Sequence, residues 1–126
     1  MKKIFILLLL STAIFANNPI KKEKLVMIFT HMEGCGWCER MLKETFDDNE
    51  ALKELKKNFM LAKIKKESGN MPSFLQPSLF PTIYILSNDG SKTIEKIEGY
   101  MKKNKFLKYT KTLYEIETEP DDDLED

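Results

Sequence analysis

Residues 25–40 read LVMIFTHMEGCGWCER, and the fold turns on how that stretch is divided. LVMIFT (25–30) is a short apolar run, partly β-branched, of a length that suits a buried strand better than a helix. Four residues later come both cysteines of the chain, Cys35 and Cys38, with the single tryptophan, Trp37, between them. The segment CGWCERMLKETF (35–46) holds good helix formers and no proline, so the cysteines stand at a loop-to-helix junction. Three uses of the pair are open at this point: a redox dithiol, half of a metal site, or a small structural loop.

Outward from that junction, Asp47-Asp48-Asn49 interrupts the helix, and EALKELKKNF begins a second one with Asp48 or Asn49 as its cap. Met60, Ala62 and Ile64 then alternate with Leu61, Lys63 and Lys65, the period of a half-exposed strand. SGNMPSFLQPSLFP (68–81), with three prolines, predicts a loop or broken turn. TIYILS (82–87) and KTIEKIE (92–98) flank Asn88-Asp89-Gly90, a hairpin signal because Asp-Gly tolerates the positive φ such turns require. Gly99 closes the hairpin. Asn104 is the expected cap of a last helix in which Phe106, Thr110, Leu113 and Ile116, with Leu107 and Tyr114, face the sheet. The order is strand, helix, helix, strand, loop, hairpin, helix, which predicts a right-handed parallel βαβ unit followed by an antiparallel pair and a covering helix.

The first residues, MKKIFILLLLSTAIFANN, set two lysines before an apolar run that ends in a small residue. Residues 1–16 therefore read as a cleaved secretory signal peptide, ahead of the alternative of an uncleaved signal acting as a membrane anchor, the run being shorter than the roughly 20 residues that span a bilayer. Export would place the cysteines in an oxidising compartment, the periplasm in a Gram-negative host. A disulfide across two residues closes almost no loop and adds little stability, which weakens the purely structural use of the pair. Residues 17–116 are expected to form one domain. In residues 17–114, 18 basic residues face 12 acidic ones, whereas the last twelve residues hold eight acids and no base. The end, ETEPDDDLED (117–126), is expected to be a disordered, solvated tail.

CGWC after a buried strand, Phe80-Pro81-Thr82 ahead of TIYILS, and SNDG followed by IEGYMKKNKFLKYTKTL together resemble the thioredoxin superfamily over residues 24–116. Within it the chain is similar to exported thioredoxin-like reductases, including the periplasmic reductase domain of the DsbD type. The resemblance implies an α/β fold: a three-layer sandwich with a mixed central sheet, helices on both faces and a short amino-terminal part. It also implies a cis peptide before Pro81 beside the dithiol and a Phe80 backbone free to pair with an extended substrate. Gly36, Phe80 and Pro81 would then form the substrate-binding rim, with Trp37 either an exposed apolar lip of it that partners contact or simply a cover over the motif. Family members commonly carry a buried acid in the strand before the motif; here that stretch offers only Ile28 or Phe29.

The attacking species in disulfide exchange is a thiolate. Cys35, placed at a helix amino terminus, would meet unpaired N–H groups and the positive end of the helix dipole, so its thiolate is expected to form more readily than that of a free cysteine. Cys38, one turn on, shares its helix face and would resolve the mixed disulfide. No histidine or lysine separates the cysteines, and Glu33 and Glu39 add negative charge, which argues for a reductase recharged by an electron donor such as a membrane thiol transporter. An oxidase or isomerase of the same fold is the alternative. His31, Glu33 and Glu39 are candidate proton carriers; the plainer roles are a packing histidine and two solvated acids.

Two cysteines and one histidine fall short of a closed zinc site, although two thiolates could carry Cu(I). Haem attachment through CxxCH is excluded by Glu39. The chain has no phosphate-cradling glycine loop and no aromatic and basic interleaving of a single-strand binder. The expectation is therefore a monomer with no cofactor and no nucleic-acid partner, acting on disulfide-bearing exported proteins. Lys102, Lys103 and Lys105 read as a solvated helix face.

Overall fold

The computed structural model describes residues 23–120, so the signal peptide expected at 1–16 and the end of the acidic tail lie outside the described residues. Strand β1 (Leu25–His31) pairs in parallel with β2 (Phe59–Lys65) and antiparallel with β3 (Thr82–Leu86). Strand β4 (Thr93–Glu98) adds to the far side of β3, giving a mixed sheet in the order β2-β1-β3-β4. The two central strands are buried on both faces. That is why LVMIFT and TIYIL read as near-continuous apolar runs rather than alternating ones.

Helix α1 (Gly36–Met41) runs straight into a π-helical turn (Leu42–Phe46) in which the Asp47 N–H reaches Leu42 O at 2.6 Å. The wide turn leaves Thr45 and Phe46 both buried, and Phe46 packs on Phe29 with ring centroids 4.5 Å apart. Helix α2 (Asn49–Asn58) starts at Asp48, whose carboxylate accepts the Ala51 N–H at 3.0 Å, so the expected cap is in place. The hairpin turn also forms as expected: Gly90, at φ +78°, donates its N–H to Ser87 O at 2.8 Å.

Helix α3 (Lys103–Glu117) differs from expectation at both ends. Its cap is Lys102, with no side-chain hydrogen bond, and Asn104 lies inside the first turn. Its buried stripe is Phe106, Thr110 and Tyr114. At 100° per residue Leu107 and Leu113 fall about 60° from Thr110 and are half-buried, whereas Ile116 falls about 120° away and is 63% exposed. The helix includes Glu117, one residue past the domain boundary expected at 116.

Leu25, Met27 and Phe29 of β1 meet side chains of all three helices, so α1, α2 and α3 cover one face. On the other face Ile28, Tyr84 and Leu86 are covered by Leu75 and Met71 from the segment between β2 and β3. The mixed-sheet α/β class holds, but among the described residues the second cover is a loop with one short 3-10 turn (Lys66–Ser68) rather than a full helix. The prolines at 72 and 77 remove the donors a helix there would need. Buried polar groups are paired where the loop joins the sheet: the Thr30 hydroxyl donates to Thr82 O and the Thr82 hydroxyl to Leu79 O, each at 2.7 Å.

Candidate dithiol site

Beyond His31 the chain turns through Gly34, whose φ of +74° lies in the left-handed region that glycine enters without strain. Cys35 follows in extended conformation, φ −96° and ψ 101°, and caps α1. Its sulfur accepts the Cys38 N–H at 3.1 Å, and its carbonyl accepts the Glu39 N–H at the same distance. A backbone dipole is thus aimed at the Cys35 sulfur. One turn on, Cys38 forms a disulfide with Cys35, the Cα atoms 5.2 Å apart. Cys35 is half-buried at the surface, while Cys38 is 1% exposed and belongs to the helical-face core. One sulfur is presented and its neighbour shielded.

The rim is built from two separate stretches. Trp37 is 56% exposed, yet one side of its ring lies 5.1 Å from Tyr100. The Phe80–Pro81 peptide is cis, and the Gly99 N–H donates to Pro81 O at 2.8 Å. Pro81 directly precedes Thr82, the partner of Thr30, and so lies at the end of β1 from which the loop to Cys35 leaves. Phe80 packs partly against the same core as Cys35, and among the described residues no main-chain hydrogen bond engages its backbone. Gly36 is exposed, with open space where a Cβ would stand.

A family model described as a thioredoxin-like domain matches residues 14–114. The chain belongs to the thioredoxin-like family. Among solved structures this thioredoxin-like chain is similar to a thioredoxin-fold protein from Helicobacter pylori, 21% identical, with a TM-score of 0.60 over 85% of this chain and 78% of that one. It is similar also to thioredoxin-2, a component of malaria parasite protein secretion machinery, 17% identical, with a TM-score of 0.59 over 83% and 98%. A thioredoxin from Thermus thermophilus aligns at 21% identity and a TM-score of 0.56, over 71% and 73%. The protein disulfide-isomerase of Triticum aestivum is 28% identical over 92 residues, which cover 68% of this chain and 18% of that protein. The thioredoxin-like chain thus spans under a fifth of that relative's length.

The remaining residues singled out from the sequence fall around the dithiol in different ways. The two residues offered before the motif, Ile28 and Phe29, are both buried, and Phe29 is stacked 5.4 Å from His31. Burial pushes the His31 imidazole below its ordinary value of 6.5, with Lys65 and Lys63 pushing the same way and Glu67 opposing. Glu33 pairs with Lys65 at 3.3 Å, and its N–H donates to Glu67 Oε1 at 3.1 Å, so this acid is tied to the β2 side of the loop. Glu39 is exposed and makes no ion pair among the described residues. No group of three or more His, Cys, Asp or Glu side chains there is placed to hold a metal ion.

Three residues of this thioredoxin-like site were not expected from the sequence. The Arg40 guanidinium lies 5.6 Å from the centre of the Trp37 ring and 4.9 Å from that of Tyr100, and it pairs with Glu44 at 2.8 Å. The Tyr100 hydroxyl donates to the other oxygen of Glu44. Hydrogen bonds from Arg40, first, and Tyr100, second, hold the Glu44 carboxyl below the usual range. The four-residue spacing of Arg40 and Glu44 was a legible signal for their pair. Tyr100 had none, because its neighbour Trp37 is more than 60 residues away in the chain.

Proposed function

We propose that this protein is a thiol:disulfide oxidoreductase that reduces disulfides in exported proteins. The observation that carries the reading is the asymmetry of the pair: a presented Cys35 sulfur that accepts an amide hydrogen bond, against a Cys38 sulfur buried in the core. Negative charge on Cys35 is stabilised by that N–H and by the start of the helix. The Cys35 thiolate attacks a substrate disulfide, forming the Cys35–substrate bond and releasing one substrate thiolate. Cys38 then gives up its proton and attacks the Cys35 sulfur, which forms the intramolecular disulfide and releases the second thiolate. Two electrons pass to the substrate, and an external dithiol must return them.

The free Phe80 backbone and the open space above Gly36 suit an extended substrate strand laid across the rim. Trp37 gives that strand an apolar contact. The reductive direction, the similarity to exported reductases of the DsbD type, and export itself rest on the sequence. The Cys35–Glu39 stretch has no added cation between the cysteines, and residues 1–16 have the pattern of a cleaved signal.

The test is insulin reduction with dithiothreitol as donor. Cys35→Ser abolishes turnover, while Cys38→Ser accumulates mixed disulfides; wild-type protein inert toward disulfides and dithiols alike ends the reading. Equilibration with glutathione fixes the direction, since a potential near about −270 mV marks a reductant and one near about −120 mV an oxidant. Mass measurement of the protein recovered from the periplasm should show a chain beginning at Asn17.

A further inference from the structure

Beside the dithiol, at the foot of α3, lies an open pocket whose charges do not balance. Arg40, Lys43, Lys102, Lys103 and Lys105 line it together with two carboxylates, Glu44 and Asp48. Both carboxylates are already engaged. Glu44 is held by Arg40 and Tyr100, and Asp48 accepts the Ala51 N–H at 3.0 Å and lies 3.6 Å from the Lys103 ammonium. Lys43, Lys102 and Lys105 have no ion-pair partner among the described residues.

The pocket is continuous with the redox rim. Arg40 lies over Trp37 on one side and forms the pocket wall on the other, and Tyr100 touches both. Arg40 is five residues past Cys35, the cap of a helix rising about 1.5 Å per residue, so its backbone lies roughly 8 Å further along the axis than that of Cys35. An extended substrate advances about 3.3 Å per residue, and its side chains two to four positions from the reacting cysteine reach that distance.

We propose that this pocket is a docking surface for acidic side chains two to four residues from the target cysteine of a substrate protein. The proposal rests on the oxidoreductase reading and names the substrate class for it. Lys43, Lys102 and Lys105 supply the unpaired positive charge, and the Trp37–Arg40–Tyr100 stack fixes the edge over which the substrate chain passes. Exposed charges at the edge of a contact act chiefly on encounter and partner choice, and salt screens them. The rival occupant is the chain's own acidic segment, ETEPDDDLED.

The experiment compares two disulfide-bridged peptides, identical except that residues two to four positions from the cysteine are Asp and Glu in one and Lys in the other. With the full chain and dithiothreitol, kcat/KM for the acidic peptide exceeds that for the basic one by about 10-fold at low salt, as charge steering allows. The ratio shrinks toward one at 1 M salt, where the Debye length is about 3 Å. The triple charge reversal Lys43→Glu, Lys102→Glu, Lys105→Glu inverts the ratio, and the corresponding triple change to Arg keeps it. Equal rates for the two peptides with the wild-type chain, or a preference untouched by the reversal, overturns the proposal. So does a preference that emerges only after residues 118–126 are deleted, because the pocket then serves the chain's own end. An acidic peptide with Ser in place of Cys, titrated against Trp37 fluorescence, separates the two claims. Binding without any disulfide turnover keeps the docking surface and refutes the oxidoreductase reading; turnover without discrimination does the reverse.

Discussion

On one face of the sheet, three helices set Met41, Phe46, Leu55, Phe106 and Tyr114 onto Leu25, Met27 and Phe29; on the other, Ile28, Tyr84 and Leu86 meet Leu75 and Met71 from an irregular segment. The helical face is filled by periodic stripes, each side chain fixed by its neighbours a turn away. The second face depends on one deeply buried anchor, Leu75, carried by chain without regular hydrogen bonding. The dithiol stands where the two meet. Cys38 belongs to the helical core, while the cis Phe80–Pro81 peptide ends the irregular segment. The shielded sulfur is therefore held by the better-packed side, and the cis Phe80–Pro81 peptide is delivered by the side with fewer constraints.

The contrast is sharpest in Phe106→Ala. This fully buried ring packs edge-on against Phe46, and its loss should cost about 3–5 kcal/mol in denaturant unfolding. Leu75→Ala should cost less, about 2–3 kcal/mol, because a loop can collapse partly into the space that the helices cannot fill. Equal costs at the two sites would erase the distinction between the faces. Asp48→Ala, which removes the α2 cap, should cost about 1 kcal/mol and lower amide-exchange protection at Ala51 before that of β1.

The smallest effect is a pH dependence at the end of β1. Burial keeps the His31 imidazole below its ordinary 6.5, so the unfolded chain takes up a proton there before the folded one does. The stabilisation from the neutral ring is complete above 6.5 and declines as pH falls from there toward the lower folded value. Replacing His31 with Gln should flatten the unfolding midpoint between pH 7 and 5. An unchanged slope would place the titration elsewhere.

Much of this layout was legible because its causes are local. A β-branched apolar run, a carboxylate three residues ahead of a helical N–H, and Asn-Asp-Gly between two strands each act within a few residues, and β1, the α2 cap and the hairpin formed accordingly. The helical period likewise gave Phe106, Thr110 and Tyr114 as the inner stripe of α3. Ile116 was misplaced because two steps of three residues from Thr110 carry it about 120° around the helix, off the buried stripe. Asn104 was misplaced because the helix is capped two residues earlier, at Lys102, without a side-chain hydrogen bond. At the site, the place of the cysteine pair at a helix start followed from the motif. Tyr100 did not, since it meets Trp37 and Arg40 across the fold from 60 or more residues away in the chain.

The sequence by itself determined the strand, the helix start and the pair of cysteines between them, because propensity, capping and spacing are properties of neighbouring residues. Tertiary structure decided which sulfur is shielded, which loop supplies the rim, and how five cations come to surround two carboxylates already in use. Those outcomes depend on distances across the fold, which burial and packing set and no short stretch of chain encodes.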